Sequence, residues 1–159
     1  MARTNQPKPI PLIYRAFFTI VEPLCVLNAA YIYVTTPTKM LQISTPPSLH
    51  ASQTLEQTPI ETMLLRQVAS LYVPFALILA LLRFMRRPGD VPVWRAVLGT
   101  IIIGDIGHLW AMKGIAEASG SPGGWYDPRL WTRWEDWSYQ GMTWFAMGLR
   151  IAFVLGVGL

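Results

Sequence analysis

The chain has 159 residues, of which 52% are hydrophobic and only 14% charged, with a formal net charge of +4. A soluble domain carries about 25% charged residues, so this one has too few to coat a water-facing surface, and its apolar segments lack the polar stripes of a soluble helical bundle. No basic face interleaved with stacking aromatics accompanies the net charge, which excludes a nucleic-acid binder.

The first apolar stretch covers about residues 10–34. It follows a basic lead, Arg3 and Lys8, but it exceeds a signal-peptide core of about 7–15 residues, which marks an uncleaved first span. Its single Cys25 allows neither an intrachain disulfide nor a cysteine zinc site and reads as a small apolar filler. Residues 35–61, rich in Thr, Ser, Pro and Gln, read as an irregular loop, with His50 solvated. The second stretch, about 62–85, turns at Arg86-Arg87-Pro88-Gly89-Asp90 into the third, about 93–115. Residues 117–137 hold Gly120, Pro122, Gly123, Gly124, Pro128 and the tryptophans Trp125, Trp131, Trp134 and Trp137. The fourth stretch covers about 138–159. Each reaches the roughly 20 residues that a helix needs to cross a bilayer, and a helix leaves no backbone group unpaired in lipid. The expected fold is a single all-α domain over residues 1–159, an integral membrane four-helix bundle.

Orientation follows from the short connections. Arg3, Lys8 and Arg15, with Arg83, Arg86, Arg87 and Arg95, concentrate basic charge at one side. On the other side Lys39, Lys113, Arg129 and Arg133 are diluted by Glu56, Glu61, Glu117, Asp127, Glu135 and Asp136. Cytosolic loops are the Lys/Arg-rich ones, so both termini are expected in the cytosol, with the endoplasmic reticulum as the expected location. The tryptophans then lie at the lumenal boundary, either as an aromatic belt or, for Trp134 and Trp137, as part of the roof of a cavity.

The informative residues are polar ones at depth: Glu22 in span one, Arg66 and Gln67 near the lumenal end of span two, Asp105 and His108 in span three, and Arg150 in span four. A charge at the bilayer centre costs at least about 2.5–3.5 kcal/mol, so these groups are expected to face one another or water. Glu22 and Asp105 each lie about 12 residues, or roughly 18 Å, from the cytosolic ends of their helices, and Arg150 is about as far from the lumenal end of its own. Asp105 and His108, three apart, share a helix face. Asp136, Gln140, Thr143, Met147 and Arg150 fall on one stripe of an ideal helix. Gly104, Gly107 and Ala111 would let another helix approach closely. Pro23 removes one backbone donor beside Glu22 and frees a carbonyl on the preceding turn. Arg66 is expected to snorkel to the headgroups.

Two chemical readings remain open. Arg150 neutralises Glu22 or Asp105 in a buried pair that fixes helix packing, with His108 as a hydrogen-bond partner. Alternatively the two acids, the guanidinium and the histidine form a reactive site, in which one carboxyl holds a proton while the other stays ionised, the equipment of general acid–base catalysis. Two distant histidines without ligand spacing make a metal site unexpected, and no cofactor is expected.

The stretches Pro11-Leu12-Ile13-Tyr14-Arg15 to Val21-Glu22-Pro23-Leu24, Val93-Trp94-Arg95, Gly104-Asp105-Ile106-Gly107-His108-Leu109, the Trp134–Trp137 cluster and Gly148-Leu149-Arg150-Ile151-Ala152-Phe153 before Gly156-Val157-Gly158 occur in that order. In this the chain resembles small fungal four-span membrane proteins of secondary-metabolite pathways. Some of those look like membrane-bound epoxide hydrolases or cyclases that act after a flavin monooxygenase in polyketide pathways. The resemblance implies an enzyme that opens an epoxide by hydrolysis or cyclisation, with a lipophilic substrate from the bilayer and a flavin monooxygenase as pathway partner. Soluble epoxide hydrolases offer an analogy of chemistry, not of fold: two carboxylates with an intervening arginine. Asp105, oriented by His108 or Arg150, would be the base and Glu22, in the drier centre, the acid, or the reverse. Trp134, Trp137 and Trp144 would line the apolar pocket, with Gln140 and Gln67 as further substrate contacts. The alternatives are a terpenoid cyclase initiated by protonation and a non-catalytic scaffold for a membrane-bound pathway.

Overall fold

A computed structural model describes residues 9–50 and 57–159. Arg3, Lys8 and Glu56, used above for orientation, lie outside the described residues. Among the described residues every regular element is helical. Helix α1 spans Leu12–Thr35, α3 spans Pro59–Phe84 and α4 spans Pro88–Ala118, and these three are long and apolar enough to cross a membrane. A fourth long run, α5, covers residues 134–154 as Trp134–Asp136, a π-helical turn at Trp137–Gly141, and Met142–Val154. It is less apolar because Tyr139, Gln140, Trp144 and Arg150 interrupt it.

The helix boundaries have local causes. Thr58 caps α3 by accepting from Glu61 N while the Glu61 carboxylate accepts from Thr58 N, a reciprocal box that satisfies two free N–H groups. Proline at the first positions of α3 and α4 fits there because those N–H groups have no partner inside the helix. The fourth helix stops well before the expected residue 159, because Gly156 and Gly158 adopt left-handed φ of 85° and 81°, the conformation that terminates helices. Within the expected loop 35–61 the described residues 35–50 are more regular than the composition implies. Pro37–Ser44 forms helix α2, followed by a 3₁₀ turn at Pro47–Leu49. His50 is half-buried and bonded to Thr45 Oγ1 at 2.7 Å rather than free in solvent.

Helix α1 packs along α3, and α4 along α5. All four meet at one end. Tyr14, Phe17 and Phe18 from the start of α1 pack there with Leu79 and Leu82 from the end of α3, Trp94 and Leu98 from the start of α4, and Phe153 from the end of α5. The Trp94 indole is completely enclosed and donates to Met85 O at 2.9 Å. Tyr14 Oη donates to Val157 O at 3.0 Å, so the beginning of α1 and the end of the chain lie at the same end of the molecule. Towards the other end α1 and α3 stay packed through Ala30, Tyr33 and Ala69, with Met40 of α2 covering them, but the two helix pairs separate. The outer faces remain apolar, with Leu24 62%, Ile103 70% and Trp110 79% exposed. A face of that composition is suited to lipid rather than water.

Gly104 and Gly107 do not mediate the close helix approach expected of them. A Cβ at either would meet nothing within 4 Å.

Candidate functional site

The site begins with a departure from α-helical geometry. Pro23 has no N–H to offer the carbonyl of Thr19, and its ring would press against it. The chain responds with a π-helical turn at Phe17–Val21, in which Glu22 N–H bonds Phe17 O, five residues back. Such single-turn bulges recur at functional sites. One extra residue rotates everything beyond it by about 100°, and Glu22 ends inside the bundle at 7% exposure.

The second π turn, Trp137–Gly141, does the same for α5. It undoes the ideal-helix stripe. Asp136 pairs with Arg133 at 2.6 Å near the loops, and Gln140 lines a separate small cavity of about 110 Å³ beside it. Ser138, Tyr139, Met142, Thr143, Ala146 and Arg150 instead form the inward face.

Glu22, Asp105 and Arg150 converge. Arg150, 2% exposed, donates from Nη1 to Asp105 Oδ2 at 2.5 Å and from Nη2 to Glu22 Oε1. One guanidinium thus ties α1, α4 and α5 together, with the Phe18 ring 5.9 Å from its Cζ. Taking these charges out of water costs several kcal/mol per ion, which the fork of paired hydrogen bonds offsets. Among the described residues Glu22 Oε2 and Arg150 Nε have no hydrogen-bond partner although both are buried.

These side chains form the floor of a cavity of about 580 Å³ between the two helix pairs, within the usual 300–1,000 Å³ of small-molecule sites. Its walls are largely apolar, with Phe17, Val68, Leu71, Phe75, Ile101 and Met142. His108, one turn from Asp105, also lines it, but its ring lies against Tyr139 at 5.3 Å. Among the described residues His108 makes no ion pair with either carboxylate, so the orientation of Asp105 comes from Arg150 and not from His108. Cys25 is not a buried filler: it is exposed and lines the cavity.

The proposed substrate contacts fare differently. Trp134 is 78% exposed and Trp137 is half exposed. Neither lines the central cavity, so neither roofs it. Trp137 Nε1 donates to Trp131 O at 3.2 Å, and Trp144, also outside the cavity, donates to Trp125 O at 2.9 Å and stacks on its ring. Indole N–H groups seek buried carbonyls, and here they fold the loop 119–133 back onto α5. Gln140 is in the small cavity, and Gln67 lies with Arg66 on the outer face of α3.

Two residues escaped the sequence reading, Tyr72 and Tyr139, which line the cavity; Thr143 of the expected stripe lines it too, its hydroxyl donating to Tyr139 O at 2.8 Å. Tyr33 stands behind Tyr72, rings edge-on at 5.6 Å. Their signal was present as phenol groups within otherwise apolar spans, where tyrosine away from an interface needs a partner.

A family described as "Domain of unknown function (DUF7704)" matches residues 8–159. No curated protein and no solved structure matches the chain. With the match covering nearly its whole length, the chain belongs to the DUF7704 family.

Proposed function

We propose that the chain is a four-span membrane enzyme that opens an epoxide on a lipophilic substrate, by hydrolysis or by attack of the substrate's own hydroxyl. The observation that carries this reading is the Glu22–Arg150–Asp105 cluster at the floor of an apolar cavity. A helix of 21 residues, 134–154, is about 30 Å long, which suffices for the fourth span, and its polar side chains turn inward. Arg15, Arg83, Arg86, Arg87 and Arg95 lie near the closed end, which supports placing that end, with both termini, in the cytosol. The endoplasmic reticulum is the compartment this orientation suits, and a flavin monooxygenase that makes the epoxide is the pathway partner.

In the reaction Glu22 carries the proton and Asp105 the negative charge that Arg150 balances. Glu22 gives its proton to the epoxide oxygen as the C–O bond breaks. Asp105 takes a proton from the attacking water or hydroxyl as the new C–O bond forms. Hydrolysis yields a diol, and cyclisation an ether. One proton then passes from Asp105 back to Glu22, and the guanidinium that joins them holds both carboxyls in place for it. Oriented acid and base each contribute typically 10²–10⁴-fold.

Microsomes carrying the chain, supplied with a polyene epoxide, test this. Asp105→Asn and Glu22→Gln should each lower diol or ether formation at least about 100-fold at equal protein level. Undiminished product from Asp105→Asn defeats the reaction. A carbocycle as product favours protonation-initiated terpenoid cyclisation instead. Normal pathway output with both variants favours a scaffold.

A further inference from the structure

We infer that the central cavity binds a lipophilic amine as its cation, with the ammonium N–H donated to Glu22 Oε2. This goes beyond the proposed reaction, since it requires no turnover.

In the proposed reaction Glu22 holds a proton; a free amine that takes it up leaves two carboxylates and one guanidinium, a cluster with one negative charge in excess that the ammonium balances. Arg150 uses Nη2 on Glu22 Oε1 and Nη1 on Asp105 Oδ2. Glu22 is 7% exposed, lines the cavity, and among the described residues its Oε2 has no partner. A buried carboxylate oxygen without a donor is costly, so either a proton or a cation must complete it. Of the other titratable groups on the cavity wall, His108 faces Tyr139, Tyr72 faces Tyr33, and Cys25 is on the exposed side. None is placed to supply the charge.

A protonated amine provides both what Oε2 lacks and what the rest of the cavity wants. Its N–H is a charged donor, the stronger class of hydrogen bond. The rings of Phe17 and Phe75 line the same space and favour a cation near their faces. The hydrocarbon body fills a chamber walled by Val68, Leu71 and Ile101. A small inorganic cation would satisfy the oxygen but leave that chamber unfilled. A neutral alcohol would fill it but leave the charge.

The test uses the full chain in nanodiscs and a tritiated tertiary amine on a diphenylalkyl body. Its competitor is the carbon isostere, in which CH replaces the protonated nitrogen. Saturable binding is expected, with the isostere weaker by about 10-fold or more, the factor for losing a charged hydrogen bond. Glu22→Gln should weaken the amine by a similar factor and leave the isostere unchanged. Equal affinity of amine and isostere overturns the proposal, as does no saturable amine binding or full amine affinity in Glu22→Gln. If that variant does not fold, the amine-to-isostere ratio in the wild type decides alone. Epoxide turnover, followed separately in the same nanodiscs, distinguishes the two readings. Amine binding without turnover removes the reaction and keeps this site, and turnover without amine binding does the reverse.

Discussion

The two ends of this molecule use the same four helices in opposite ways. At the closed end all four meet around Phe18, Trp94, Leu98 and Phe153, with Tyr14 and Trp94 spending their polar atoms on carbonyls of neighbouring segments. At the other end the α1–α3 and α4–α5 pairs part, and phenol, imidazole and hydroxyl groups line the space between them. The Glu22–Arg150–Asp105 cluster sits at the boundary. Tight aromatic packing on one side gives the helices a fixed hinge-free base, and that base holds three charged side chains from three helices in register beneath an open chamber. Stability is concentrated at one end so that the other can stay unfilled.

The largest expected effect comes from the boundary. Arg150→Met leaves the buried Glu22 and the half-buried Asp105 without their cation and should cost about 3–5 kcal/mol, read as thermal or denaturant unfolding in detergent. A loss below about 1 kcal/mol would mean the cluster does not join the two regions. Leu98→Ala, in the closed end, should cost about 2 kcal/mol, the lower part of the range for cavity creation, because the unfolded reference also remains in lipid. The equivalent truncation at the cavity wall, Leu71→Ala, should stay within about 0.5 kcal/mol, since Leu71 is mostly exposed. Similar losses for both would erase the contrast between the ends. Tyr14→Phe removes the bond to Val157 O and should cost about 0.6 kcal/mol, the average for polar contacts between membrane helices. Gly104→Phe should have the smallest effect on unfolding, under about 0.5 kcal/mol, because a Cβ there meets open space. It fills the cavity wall, however, and should lower both amine affinity and epoxide turnover at least about tenfold. Unchanged binding would show that the ligand space lies elsewhere.

Much of this was legible in the residues. Long apolar runs fixed three helices to within a few positions, because length and hydropathy are local properties. The convergence of Glu22, Asp105 and Arg150 could be anticipated from depth, since rise per residue is constant and lipid penalises isolated charge. The stripe through Asp136 and Gln140 was misread for a related reason: it assumed 3.6 residues per turn across Trp137–Gly141, where the chain inserts one more. Trp134, Trp137 and Trp144 were read as lining the cavity, whereas Trp137 and Trp144 are held by bonds to loop carbonyls, Trp144 also stacks on Trp125, and Trp134 is mostly exposed. No periodic pattern encodes such contacts.

By itself, then, the sequence determined that the chain is helical, that its long helices are apolar enough to cross a membrane, and that a few ionisable groups lie at matching depth. These follow from hydropathy, helix rise and the cost of a lone charge in hydrocarbon, none of which depends on neighbours. Only the tertiary structure decided which face each helix turns inward and where the empty volume lies. The two π turns set those rotations, and the pairing of α1 with α3 and of α4 with α5 leaves the gap. The gap arises from packing between segments distant in the chain, which no local pattern of residues specifies, whereas the first of the two rotations has a local cause in Pro23.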